Sequence, residues 1–270
     1  MHPELVRVGS FALPSYGVAL VAAFVVAIGL LRRRAPAFGV APDAAADVAI
    51  WLLLSGLAGA KLLLLVVEGP RYLSSWDGFV EFLRSGGVFY GGLILAVAVA
   101  FWYIHRHRLP LWTTCDVFAP GIALGHVTGR LGCMAAGCCY GRPTDVPWAV
   151  IFTNPLAAAN VGTPLGIPLH PTQLYEAGAE LLILVVLLVF ERRGRVFGGR
   201  TFWAYMLLYA VSRFVIEFYR GDPRGMVFGV LSTSQFISLL LAPLALGMLV
   251  YLSRVTPTMP EQARRRRVAA

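Results

Sequence analysis

The chain has 270 residues, of which 58% are hydrophobic and 14% charged, where a soluble domain carries about 25% charged residues. A mean hydropathy of +0.71 excludes a disordered chain and argues against an ordinary soluble enzyme, and 28 Gly without a period and 4 Cys exclude collagen-like and disulfide-scaffold classes. The net charge of +9 rests on arginines clustered between apolar runs, with Lys61 the single lysine, which reports membrane topology and not a nucleic-acid face.

The apolar runs predict an all-α polytopic membrane protein with seven transmembrane helices, at 12–31, 46–67, 87–104, 113–130, 173–190, 201–219 and 231–253. The fourth is the most polar, with Asp116, Pro120, His126 and Arg130, and such a span faces a bundle interior or a water-filled cavity. Fourteen arginines, including Arg32 to Arg34, Arg192, Arg193, Arg195 and those at 264–267, fall on one side and eight on the other. The positive-inside rule then puts the N-terminus outside and the C-terminus in the cytoplasm. The first run has no basic lead and is followed by three arginines, so it reads as a retained span and not a cleaved signal. No internal repeat is evident, which weighs against a transporter.

The predicted organisation is a single seven-span domain over 1–254 and a basic cytoplasmic tail over 255–270. The domain includes an interfacial amphipathic arm at 68–86 and a Gly- and Pro-rich extracytoplasmic head at 131–172. The tail's arginines read as an anionic-lipid contact.

Four stretches could carry chemistry. At 86–92, four glycines flank Tyr90 in what reads as a backbone-exposed mouth; Tyr90 and Tyr16 are each a proton donor or an interfacial anchor. At 129–144, Arg130 sits among glycines with Gly141, Arg142, Cys133, Cys138 and Cys139. Arg130 either grips a phospholipid phosphate or snorkels from a span end. At 169–177, His170, Gln173 and Glu176 are spaced to share a helix face beside Tyr175, or to form a plain polar cap. At 209–224, Tyr209, Arg213 and Glu217 are spaced by four, so Arg213 is a site residue or half of a buried structural pair. The three cysteines read first as a bridge from Cys133 or as packing, then as a nucleophile, and last as a metal site; their spacing fits no standard zinc pattern.

At these residues the sequence resembles bacterial phosphatidylglycerol–prolipoprotein diacylglyceryl transferases. The resemblance runs in order through Tyr16, Gly-Gly-x-x-Tyr-Gly-Gly-Leu-Ile at 86–94, Asp116 to Pro120, Gly129-Arg130-Leu131-Gly132, Gly141-Arg142, His-Pro-Thr-Gln-Leu-Tyr-Glu at 170–176, and Tyr209 with Arg213. It implies a seven-span fold with an outer head in the bacterial cytoplasmic membrane. It also implies transfer of a diacylglyceryl group from phosphatidylglycerol to the lipobox cysteine of a preprolipoprotein, with glycerol phosphate leaving and no cofactor. On that reading Arg130 and Arg213 hold the phosphate, and Tyr16, Gly141, Gln173, Tyr175 and Tyr209 bind substrate.

The chain also departs from the family. Tyr90 stands where the family usually has a His that is a favoured base, and Cys133 and Cys138 stand where it has Asn and Glu. The base is therefore expected at His170, Glu176 or Tyr90, or in new chemistry at the thiols. Two other functions stay open: a lipid-modifying enzyme with another acceptor, and a non-catalytic phospholipid- or lipoprotein-binding protein.

Overall fold

Seven apolar or mixed stretches form long helices in the computed structural model, which describes residues 2–9, 11–191, 197–223 and 225–256. They are α1 (Ser15–Arg34), α2 (Pro42–Leu73), α4 (Phe89–Arg106), α5 (Leu111–Ala136), α7 (Thr172–Glu191), α8 (Arg200–Glu217) and α9 (Thr233–Val255). Short helices α3 (Trp76–Arg84) and α6 (Pro155–Val161) lie between them. Arg192, Arg193, Arg195, Arg224 and the arginine tail at 264–267 lie outside the described residues.

Five of these helices, α1, α2, α4, α7 and α9, are long and apolar enough to cross a membrane. Their outer faces carry exposed apolar side chains such as Val25, Val66, Ile94, Leu182 and Leu240, a surface suited to lipid and costly in water. With 26 and 18 residues, α5 and α8 are also long, but they carry the charges of Asp116, Arg130, Arg200, Arg213 and Glu217.

Several predicted boundaries move. The first helix begins at Ser15, because β2 (Phe11–Pro14) is paired with β1 (Glu4–Val8) in an antiparallel hairpin. The second runs on to Leu73 across a kink at Glu68, and α3 follows at once, capped by the Ser75 side chain. The 68–86 arm is thus the end of one helix plus a short second helix. The fourth does not stop at Arg130: α5 continues to Ala136, and Gly137 closes it with φ +80.

The glycines at 86–92 do not make an open mouth. They let α4 press against α2: a Cβ at Gly92 would lie 2.7 Å from the Gly56 carbonyl oxygen, and Gly91 and Gly59 face each other too closely for any side chain. Small residues allow this contact where no hydrophobic drive exists between helices in lipid. Lys61 of α2 then reaches the end of α3, donating to the Phe82 and Ser85 carbonyls at 2.5 Å each.

Helices α5, α7 and α8 pack on one another around Ala119, Ala123, Ile183, Leu184, Leu187 and Tyr205. Asp116, fully buried in α5, ties them at one end by accepting from Gly199 N at 2.9 Å and Phe202 N at 3.0 Å. It caps α8 from another helix and satisfies two N–H groups that the helix cannot. The buried Arg34–Glu191 pair, at 2.6 and 2.7 Å, fastens α1 to α7 at the same end. Asp116→Ala leaves both amides without their acceptor in a buried setting; we expect a loss of about 3 kcal/mol, read as a lower unfolding midpoint in detergent.

Candidate active site

The other end of the same three helices gathers charge. Pro171 precedes α7 and Thr172 opens it, so Gln173, Glu176 and Glu180 fall on its buried face. The Glu176 carboxylate meets three guanidinium groups: Arg130 of α5 at 2.5 Å, Arg220 at 2.6 Å and Arg213 of α8 at 3.3 Å. Arg213 also pairs with Glu217 at 2.6 Å and donates to Ser234 Oγ at 3.0 Å. Arg220 holds Asp222 through two bonds, at 2.8 and 2.7 Å. Three arginines and three carboxylates therefore balance, as buried charges must. The arginines differ in access: the Arg130 side chain is 22% exposed, against 6% for Arg213 and 2% for Arg220. A guanidinium presents five donors in a planar fork, and Arg130 is the one that a new oxyanion can reach.

A close crossing of backbone fixes Arg220 there. Gly141 N donates to the His170 carbonyl at 3.1 Å, Arg142 N to the Tyr219 carbonyl at 2.9 Å, and Gly221 N to the Tyr140 carbonyl at 3.1 Å. A Cβ on Gly141 would overlap the His170 carbonyl oxygen, and one on Gly221 would lie 2.6 Å from the Gly141 oxygen. Only glycines let the three segments meet. The head is then filled out by the β3–β4 ribbon (Val150–Ile151, Pro168–Leu169) over Tyr140, Phe152 and Leu169.

The three cysteines line the same corner. Cys133 sits on the last turn of α5, and the chain folds back through Gly137 so that the three sulfurs lie within 4.8 Å of one another. Cys139 takes φ +61, strained for a residue with a side chain. The loop is held by Gln173 Nε2 donating to the Cys138 carbonyl at 2.7 Å and Thr172 Oγ1 to the Cys139 carbonyl at 2.8 Å. All three are free thiols in the structure, without the bridge expected from Cys133. They are the one group of potential ligands among the described residues close enough to hold a metal ion. Hydrogen bonds from the Cys133 and Cys138 thiols, with the charge of Arg220, hold the Cys139 thiol below the usual thiol range. The arrangement thus favours a thiolate beside an arginine cluster.

A model of the prolipoprotein diacylglyceryl transferase family matches residues 3–251. The chain belongs to that family. It is 36% identical to the phosphatidylglycerol–prolipoprotein diacylglyceryl transferase of Clostridium tetani, over 88% of this chain and 93% of that one. It is 33% identical to phosphatidylglycerol–prolipoprotein diacylglyceryl transferase 2 of Clostridium perfringens, over 88% and 89% of the two chains. It is also 30% identical to the phosphatidylglycerol–prolipoprotein diacylglyceryl transferase of Bordetella parapertussis, over 94% and 96%.

In this member of the transferase family, the predicted site residues divide. Arg130, Arg213 and Glu176 converge, and Tyr16 of α1 faces Arg130 and the three cysteines. Tyr209 stands one turn before Arg213, its ring 5.6 Å from His126. Gln173 and Gly141 are engaged by the head's own backbone. His170 precedes α7 and does not share its face with Glu176; its Nδ1 lies 3.1 Å from the Tyr175 hydroxyl, which accepts from Trp148 Nε1 at 2.7 Å. Tyr90 is exposed on α4, edge-on to Phe89, and α4 lies along α2. Two features were missed: Arg220, legible in the Arg-Phe-x-x-Glu-Phe-x-Arg string at 213–220, and the contact of His126 with Glu180, which no spacing announces.

Burial, reinforced by the Arg142 charge, holds His170 below the usual imidazole range. A depressed folded value means that the neutral ring is the one the fold accepts. Its contribution is present above the unfolded value of about 6.5 and is lost as pH falls through the lower folded value. Acidification from pH 7 to 5 is expected to lower the unfolding midpoint, and His170→Gln to flatten that dependence; equal slopes for both proteins would refute this account of the head.

Proposed function

We propose that this protein transfers the diacylglyceryl group of phosphatidylglycerol to the lipobox cysteine of preprolipoproteins. The acceptor sulfur forms a bond to the terminal glyceryl carbon of the lipid, the bond from that carbon to the phosphate oxygen breaks, and glycerol phosphate leaves. The acceptor's thiol proton passes to a base. The leaving group is part of the lipid, so the reaction as written uses no nucleotide.

The convergence of Arg130, Arg213 and Arg220 on one carboxylate carries this reading. An oxyanion already sits where three guanidinium groups meet, so the site is built for phosphate-like charge. A lipid phosphate approaching from the exposed side of Arg130 would share those donors, and fixed cations offset the charge that grows on the leaving oxygen. Glu176 keeps the guanidinium groups together before the lipid arrives. With both its oxygens so engaged, it is a poor choice of base.

The same reading makes the chain a seven-span protein of the bacterial cytoplasmic membrane, with its N-terminus and head outside. The polar groups of α5 and α8 support it, because they turn inward: Asp116 caps a helix, Arg200 lies 3.7 Å over the Phe190 ring, and Arg213 meets Glu217. Intramembrane charges that face a bundle interior are compatible with spanning. Within the 1–254 unit, 137–171 then forms the head, and 255–270 the cytoplasmic tail.

The test is a purified transfer assay with phosphatidylglycerol and a lipobox peptide, against a peptide whose Cys is Ser. We expect a mass gain of one diacylglyceryl group on the Cys peptide alone. Arg130→Ala and Arg213→Ala should each cut the rate at least about 100-fold; near-normal rates in both would remove the phosphate clamp.

The thiol cluster beside Arg130 and Arg220 favours a second reading, a lipid-modifying enzyme whose acceptor side is rebuilt around Cys133, Cys138 and Cys139. Replacing all three by Ser should leave lipobox transfer within about threefold of wild type if the thiols only shape the loop. Loss of turnover with phosphatidylglycerol still bound would give them a part in the reaction.

A further inference from the structure

We propose that His126 is the general base of the transfer and that Glu180 positions its ring. The inference rests on the function proposed above and supplies the proton acceptor which that reaction requires. The three bases expected from the sequence fit poorly. Glu176 is occupied by three guanidinium groups, Tyr90 lies on α4 against Phe89, and the His170 ring is packed in the head against Tyr175 and Tyr219.

Directly beneath the arginine cluster the same three helices build a second layer. His126 stands four residues before Arg130 on α5, Glu180 four after Glu176 on α7, and Tyr209 four before Arg213 on α8. Four residues are about 6 Å along a helix and share one face, so each member lies one turn below its partner in the cluster. His126 Nδ1 is 2.8 Å from Glu180 Oε1, and the Glu180 side chain is 5% exposed. The Tyr205 hydroxyl lies 3.1 Å from the same nitrogen. Yet 43% of the His126 side chain is open. Glu180 thus fixes the tautomer with hydrogen on Nδ1, and leaves the Nε2 lone pair as the basic site on the ring.

This combination suits proton abstraction. A buried carboxylate orients the imidazole and steadies the imidazolium, as a carboxylate does for a catalytic histidine elsewhere. The acceptor's S–H proton passes to Nε2 as the carbon–sulfur bond forms and the carbon–oxygen bond to phosphate breaks. The imidazolium then returns the proton to the departing glycerol phosphate or to water. Stacked under the phosphate clamp, His126 would meet a thiol approaching opposite the leaving oxygen, the geometry that displacement at carbon requires.

The groups in contact with His126 are Glu180 from α7 and Tyr205 and Tyr209 from α8, and the arginine cluster lies one helical turn away. Any pH dependence must be assigned among these. The test is therefore the pH profile of kcat/KM for the full-length protein in phosphatidylglycerol vesicles, with wild type, His126→Gln, Glu180→Gln and His126→Gly. We expect an acid limb in the wild type that disappears in His126→Gln, with kcat reduced about 100-fold or more and KM for the lipid nearly unchanged. Glu180→Gln should lower kcat and displace the limb. In His126→Gly, added imidazole should restore turnover in proportion to its neutral fraction, which keeps the test decisive even if a bulkier replacement disturbs folding. An active wild type whose acid limb survives in His126→Gln, or a His126→Gly protein that binds lipid but ignores imidazole, overturns the base while leaving the transferase. A wild type that binds phosphatidylglycerol and modifies no lipobox peptide overturns both.

Discussion

The ion cluster around Glu176 is the constraint on which the rest of the molecule depends. A carboxylate at the edge of an apolar bundle is costly unless its charge is answered nearby. Here the answer comes from three different elements: Arg130 on α5, Arg213 on α8 and Arg220 beyond the end of α8. Removing any one partner would leave the others with unbalanced charge, so α5, α7 and α8 are fixed against one another at this level. The pairs Arg213–Glu217 and Arg220–Asp222 extend the balance outward. The cluster that gives the site its affinity for an oxyanion is thus also what holds the helices at the site.

From that anchor the head follows. Arg220 can reach Glu176 because the chain after α8 passes through the crossing of Gly141, His170 and Gly221. The same crossing closes the loop that carries Cys138 and Cys139, and α7 begins two residues after His170. The first turn of α7 does two tasks: Thr172 and Gln173 hold the cysteine loop by its carbonyls, and Glu176 collects the arginines. At the far end, Asp116 and the Arg34–Glu191 pair do for orientation what the cluster does here. Buried polar groups at both ends, with Ala, Ile and Leu packed between them around Tyr205, give the three helices one register along their length.

Much of this was legible. The seven long helices follow from apolar runs, and Arg130, Arg213 and Glu176 follow from residue type and position, because an ionisable side chain beside lipid needs a reason. What was not legible depends on partners distant in the chain. Arg130 looked like the end of a span, yet α5 runs a turn and a half further, since its charge is answered by Glu176, 46 residues on. The glycines at 86–92 looked like an open mouth because their partners, Gly56 and Gly59, lie on a separate helix. His170 looked like a neighbour of Glu176 because helical spacing was extended back past Pro171, where no helix exists. Periodicity describes one element at a time, and the site is made between elements.

The departures from the family pattern gain sense from this layering. The resemblance implies a His where Tyr90 stands, on α4, which packs along α2. On that reading a base absent there need not be replaced at the same address. It can be replaced on any helix whose side chain reaches the reacting thiol, and α5 offers such a place one turn below Arg130. The same resemblance implies an Asn and a Glu where Cys133 and Cys138 stand, which would take neutral polar and acidic groups from the corner beside the cluster. With Glu176 already matching the arginines, a further carboxylate there would compete with the incoming phosphate for Arg130. Neutral thiols at Cys133 and Cys138 would leave that competition weaker. On that reading the substitutions form one change: the acidic group and the imidazole leave the positions the resemblance implies, and in the proposed reaction His126 with Glu180 supplies a base that does not draw on the arginines needed for the lipid.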